Sequence, residues 1–176
     1  MNNTSNPIAM QSKEAIRKAL IKAMNETPYE EITIKQLLAE AGVTRRTFYR
    51  NFDNKEDVLY NCLDDIASAF ITLFSNPKYF SSPKHLCDAF TEIIEDYKDI
   101  LYVLTTNGME SLLFYRVDSQ VLSNSALISE DKSAATKSSI ENYRQIYRIG
   151  GTLNVLFAWV FGGQNEPLYQ IIESLL

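Results

Sequence analysis

Along this chain apolar positions recur at steps of three and four residues, and nowhere do they alternate over a useful length, so the pattern predicts helices and no sheet. Residues 1–10 are polar and Asn-rich and read as a frayed end. A first helix is predicted from Ser12 as N-cap, with Ile16, Ala19, Leu20, Ala23 and Met24 on one face. Pro28 stops it, because proline lacks the N–H and clashes with the preceding turn. Thr33-Ile34-Lys35-Gln36 is a capping box that opens a second helix. Leu37, Leu38 and Ala41 form its apolar stripe, and Gly42 ends it in the left-handed conformation.

Only Gly42-Val43-Thr44 separates that helix from the next, which Thr44 caps and which turns Phe48 and Phe52 to one side. Asp53-Asn54 breaks it. Asn54 then caps a longer helix from Lys55 through Leu59, Cys62, Leu63, Ile66, Phe70 and Leu73 to Pro77. After Pro83 one helix is predicted to run from Leu86 to Leu104, with Asn107-Gly108 as its end. Met109 to about Ile128 reads as one or two shorter helices. Ser129 to Ser139 is the lowest-complexity stretch, a loop or a polar helix start. A long apolar helix is predicted over Ile140–Phe161, ended by Gly162-Gly163, and a last one opens near Pro167. The fold class is all-α.

Composition adds little to this except by exclusion. Of 176 residues, 45% are hydrophobic and 22% charged, an ordinary globular balance. Two cysteines and one histidine, His85, are too few for a disulfide scaffold or a metal site. The N-terminus lacks the apolar core of a signal peptide. The longest mainly apolar run, residues 153–161, falls well short of the roughly 20 residues that cross a bilayer. A cytoplasmic protein without a membrane partner is expected. Net charge is −5, which alone argues against a nucleic-acid partner, but its distribution is uneven. Residues 1–60 hold nine Lys/Arg against eight Asp/Glu, and the remainder hold eight against fourteen. Within 44–55 stand Arg45, Arg46, Arg50 and Lys55 against Asp53 alone, either a solvated basic face or the local positive surface that groove docking needs.

Three short helices, the last two joined by a tight Gly-containing turn, form a helix-turn-helix, whose second helix offers its first residues to base edges in the major groove. With Phe48 and Phe52 inward, Arg45, Arg46, Thr47, Tyr49, Arg50 and Asn51 lie on or near the outer side, and Thr44 completes the DNA-facing set. Arg suits guanine, Asn suits adenine, and Thr and Tyr hydroxyls suit phosphates. Two positions stay open: Tyr49 as a partly buried core aromatic, and Arg50 as an ion-pair partner of Asp53 or Asp57.

Ile32-Thr33-Ile34 through Val58-Leu59 resembles the DNA-binding domain of the TetR family of transcriptional regulators. The matching residues are Thr33, Leu37, Ala41-Gly42-Val43-Thr44, Thr47, Phe48-Tyr49, Phe52 and Lys55, with Leu38 a departure where Ala is usual. The resemblance spans about residues 12–60. It implies phosphate contacts from Thr33, Tyr49 and Lys55, a backbone or base contact from Lys35, and base reading by Arg45, Arg46, Thr47 and Asn51. A solvated or first-turn role for Lys55 stays open. The run from Arg144-Gln145-Ile146-Tyr147 through Gly150-Gly151 to Trp159 is similar to a subgroup that includes regulators near dihydroxyacetone kinase genes.

The resemblance further implies a helix-turn-helix domain over 1–57 and a helical-bundle domain over 58–176 for effector binding and dimerisation. A repressor is implied, a homodimer on a pseudo-palindromic double-stranded DNA operator, released by a small molecule or by a protein docking on the C-terminal domain. Leu153, Phe157, Val160, Phe161, Leu168, Ile171, Ile172 and Leu175 are the candidate dimer interface. Gly150-Gly151 reads either as a site of close helix approach or as a break. Tyr97, Tyr102, Phe114, Tyr147 and Trp159 are candidate pocket residues, although aromatics at helical spacing more often form plain core. No cofactor is implied. The chain carries none of the nucleophile, P-loop, zinc-protease or dinucleotide patterns, so an enzyme is not expected.

Overall fold

In the computed structural model of this protein, which describes residues 7–124 and 138–175, every regular element among those residues is helical. The chain divides into two compact units, Met1–Asp64 with Lys98–Met109, and Asp65–Tyr97 with Glu110–Leu176.

The first unit holds α1 (Pro7–Glu26), a 3-10 turn (Tyr29–Glu31), α2 (Ile34–Ala41), α3 (Arg45–Asn51), the start of α4 (Lys55–Ser75) and α6 (Lys98–Thr106). α1 begins at Pro7, five residues before the expected Ser12, because proline suits a first helical turn and a polar turn needs no apolar stripe. Its buried Ile16, Ala19, Leu20 and Met24 form the predicted face, and α1 packs on α2, α3 and α6. Asn54 accepts the Asp57 N–H at 2.7 Å, capping α4 as expected.

The second unit holds the rest of α4, a 3-10 turn (Pro77–Phe80), α5 (Pro83–Asp96), α7 (Glu110–Asn124), α8 (Ser138–Phe161) and α9 (Leu168–Leu175). Ser82 caps α5, accepting the His85 N–H at 3.2 Å. An aromatic cluster fills this unit. Phe70 packs on Phe74, Phe90 and Phe157 at 5.5–6.1 Å between centroids, and Phe157 on Phe114 and Phe161.

Three expectations need correction or completion. The single helix after Pro83 is two, since Tyr97 leaves helical geometry at φ −113°, ψ 14°. No Gly or Pro marks that break. Glu95 and Asp96 oppose the dipole at the end of α5, whereas Asp99 favours the first turn of α6. The stretch after Met109 begins with one helix, α7; of the loop or polar helix start expected over 129–139, residues 129–137 lie outside the described residues, and Ser138 and Ser139 open α8. α8 passes through Gly150 and Gly151 unbroken, so the break does not occur. No helix of the described residues is long and apolar enough to cross a membrane.

Candidate nucleic-acid interface

Gly42 stands at φ 63°, ψ 31°, where a side chain is disfavoured, and its N–H and that of Val43 both donate to the Leu38 carbonyl. That closes α2 and turns the chain by the three residues expected. Thr44 then accepts the Thr47 N–H at 3.1 Å, and the two hydroxyls lie 3.0 Å apart. α3 hangs on its two phenylalanines. Phe48 is 0% and Phe52 3% exposed, with ring centroids 6.1 Å apart. Lys13 of α1 lies 5.5 Å over the Phe52 ring.

With that face inward, Arg45, Arg46, Tyr49 and Arg50 are exposed and Thr47 and Asn51 half-buried. Tyr49 is 45% exposed, its ring edge-on to Phe48 at 5.4 Å, so it is a rim residue and not a core aromatic. The Arg45 guanidinium lies 5.6 Å over the Tyr49 ring and donates to its hydroxyl at 3.4 Å. Arg46 and Arg50 make no hydrogen bond or ion pair with the described residues. The alternative of an Arg50 ion pair with Asp53 or Asp57 is not found among the described residues, and the Asp57 carboxylate accepts the Asp53 N–H at 3.1 Å. Asn51 donates one N–H to the Thr47 carbonyl at 2.7 Å, and its carbonyl oxygen and second N–H make no hydrogen bond with the described residues.

The remaining candidates divide. Lys35 is exposed on α2. Thr33 completes the predicted capping box: its N–H and hydroxyl donate to Gln36 Oε1, both at 2.7 Å, and its hydroxyl accepts the Gln36 N–H at 3.3 Å. Lys55 is placed quite differently from a phosphate contact. Its ammonium donates to the carbonyls of Tyr29 at 2.6 Å, Ile32 at 3.0 Å and Glu30 at 3.1 Å, and lies 4.4 Å over the Tyr29 ring. All three of its donors are thereby used.

The candidate pocket residues are divided between the two units. Tyr102 belongs to the first unit and is 62% exposed, while Tyr147 of the second is 81% exposed. Phe114 is part of the aromatic cluster. Trp159 packs edge-on to Phe90 and donates its ring N–H to the Glu166 carbonyl at 2.8 Å, and Tyr97 donates its hydroxyl to the Asp65 carbonyl. A crevice lined by Lys18, Lys22, Asn25, Glu40 and Asp99 lies in the first unit instead, with the Lys22–Glu40 ion pair at 2.7 Å.

The candidate dimer interface also needs correction. Leu153, Phe157, Leu168 and Ile172 are buried in the protomer, so their surface is already taken. The apolar stripe of α8 and α9 records the chain's own core, which has the same helical period as an interface would. Val160, Phe161 and Ile171 remain partly exposed, and the Leu175 side chain lies outside the described residues. On α8 the outer positions are Tyr147, Gly151, Asn154 and Ala158. A Cβ built on Gly150 or Gly151 meets nothing within 4 Å among the described residues, so no helix of this protomer accounts for the pair.

Two residues that sequence reasoning left out shape this region. Tyr29 is buried and receives the Lys55 ammonium on its ring and carbonyl. Asn107, read only as the end of a helix, accepts the Tyr29 N–H at 3.0 Å. An Asn-Gly pair after a helix signals a turn, and nothing in that signal points to a contact 78 residues away. No curated protein matches the chain. Residues 12–61, less than a third of it, match the family of bacterial regulatory proteins of the tetR type, so the segment that builds α2, α3 and their supports is a DNA-binding regulator domain of that family.

Proposed function

We propose that the whole protein is a TetR-like transcriptional regulator, a repressor that binds a pseudo-palindromic operator as a homodimer and is released by an effector on its second unit. One observation carries the reading. α3 is fixed from behind by Phe48 and Phe52 while Arg45, Arg46, Tyr49 and Arg50 all stand in solvent on its other side. An excess of uncommitted donors on a capped helix after a glycine turn is what major-groove reading requires. Arg46 and Arg50 are the freest cations, Arg45 is pre-aligned on Tyr49, and Thr44, Thr47, Asn51, Thr33 and Lys35 supply the surrounding polar contacts. Lys55 supports this surface from within and does not belong to it.

In such a homodimer the two reading helices meet half-sites about 34–36 Å apart. The surface open to a two-fold partner on α8 and α9 includes Gly151, Asn154, Ala158, Val160, Phe161, Ile171 and Tyr169. A protein effector is a second reading. It is favoured by Tyr115 and Tyr147, which stand exposed on α7 and α8 instead of enclosing a cavity, and it agrees with the proposed kinship to regulators near dihydroxyacetone kinase genes. The test is selection of duplex DNA from a random pool, followed by footprinting of parent and Arg45→Ala/Arg46→Ala. Protection of two half-sites one helical turn apart, lost or relaxed in the variant, is expected. An identical footprint from the variant would remove these arginines as readers, and no selected sequence at low salt would remove the function.

A further inference from the structure

We infer that Asn107 is a positioning residue for DNA binding: its amide fixes the connection between α1 and α2 against the end of α6, and so sets where α2 and α3 stand within the first unit. This rests on the DNA-binding reading above.

The amide uses both ends. Its Oδ1 accepts the Tyr29 N–H at 3.0 Å, and its Nδ2 donates to the Val103 carbonyl at 2.8 Å and the Met24 carbonyl at 3.2 Å. The orientation is unambiguous, because a backbone N–H can only donate and the two carbonyls can only accept. Met24 lies among the last four residues of α1, whose carbonyls have no backbone partner inside the helix, while the Val103 carbonyl of α6 also accepts the Asn107 N–H at 3.1 Å and the Thr106 hydroxyl at 3.2 Å. Asn107 thus satisfies the end of α1 and the first donor of the 3-10 turn at once, while its third bond ties the amide to α6. The amide is half-buried, and the residues it joins, Met24, Tyr29 and Val103, are buried. Gly108, at φ 65°, lets the chain turn away, and the Met109 N–H closes onto the Leu104 carbonyl at 2.8 Å, holding the amide in place.

The other side of the same turn belongs to Lys55. Asn107 takes the Tyr29 N–H, while Lys55 takes the Tyr29, Glu30 and Ile32 carbonyls. Thr33, the cap of α2, is the next residue after Ile32. The path from α6 to the reading surface is therefore short: Asn107, three residues of 3-10 turn, Ile32, then α2 and α3. Without the amide the turn keeps its hold on α4 but loses its hold on α6 and on the end of α1.

The experiment compares the full chain with Asn107→Ala, with Asn107→Asp, and with whichever of Ile16→Val and Leu20→Ala matches Asn107→Ala in urea midpoint. Operator Kd is measured where circular dichroism shows every protein folded, and Tyr29 amide exchange is followed by NMR. Asn107→Ala is expected to weaken operator binding about tenfold, the equivalent of roughly one net hydrogen bond, while the matched core variant stays within about twofold. Tyr29 exchange should accelerate in Asn107→Ala and stay slow in Asn107→Asp, which keeps the acceptor but not the donor. Operator affinity of Asn107→Ala equal to the parent, or reduced only as much as in the matched core variant, overturns the positioning role. Should the parent select no DNA, the DNA-binding reading fails, and the exchange data decide the latch alone. Acceleration confined to the 3-10 turn and α2 supports it; unchanged or uniformly faster exchange overturns it.

Discussion

Lys55→Met keeps the length of the side chain and removes only the ammonium, so it separates an internal clamp from a phosphate contact. In the structure three carbonyls lose the ammonium, and the Tyr29 ring loses the cation 4.4 Å away. The Glu30 carbonyl sits on an exposed residue and rehydrates at little cost. The Tyr29 carbonyl keeps the Ile32 N–H at 3.2 Å, whereas the carbonyl of buried Ile32 is left without a donor, which costs about 1–1.5 kcal/mol. The ring contact adds about 0.5–1 kcal/mol. A loss of about 1.5–2.5 kcal/mol results. With m of about 2 kcal/mol/M, the urea midpoint should fall by roughly 1 M, provided the first unit unfolds in one step. A lost phosphate contact would instead reduce the slope of log K against log salt by about 0.9 and leave the midpoint alone. Urea unfolding followed by circular dichroism, with operator titration at several salt concentrations, reads both. An unchanged midpoint with a shallower slope would refute the clamp.

Gly42→Ala meets no atom within 4 Å, so its cost is conformational alone, on the order of 1 kcal/mol for a left-handed residue, seen as a lower urea midpoint. Tyr29→Phe removes a buried hydroxyl without a hydrogen-bond partner and should leave neutral-pH stability within about 1 kcal/mol, whereas Tyr29→Ala should cost about 3–5 kcal/mol. Burial, aided by the Glu56 carboxylate, pushes that hydroxyl well above the tyrosine range. Its contribution is thus full below the unfolded value near 10 and is lost as pH rises beyond it, so Tyr29→Phe should flatten alkaline unfolding, and an unchanged alkaline limb would refute this. Arg46→Ala should cost about 1–3 kcal/mol of operator affinity and relax preference at one base pair, read by binding to single-base operator variants.

The short-range chemistry of the interface was legible because each device is local. The Thr33–Gln36 box, the Gly42 turn, the Thr44 and Asn54 caps and the inward pair Phe48 and Phe52 are written within a few residues of one another. The break at Tyr97 was not legible, since it carries no glycine or proline. Lys55 illustrates a different limit: a lysine beside a reading helix looks like a phosphate ligand until the carbonyls of a turn 23–26 residues earlier are brought to it. Leu153, Phe157, Leu168 and Ile172 were misplaced for the same reason that they were noticed. A helical stripe says that a face is covered and does not say by what.

The insertion of α6 into the first unit bears on how this protein is made and cut. A fragment ending near Asp64 lacks α6 and Asn107, so it would bare the flank of α1 that Leu101 and Val103 accompany in the intact unit and leave the Tyr29 N–H unanswered. The DNA-reading module is therefore not an excisable cassette. On the ribosome it stays incomplete until Met109 has emerged, by which time residues 65–97 of the second unit are already outside and waiting.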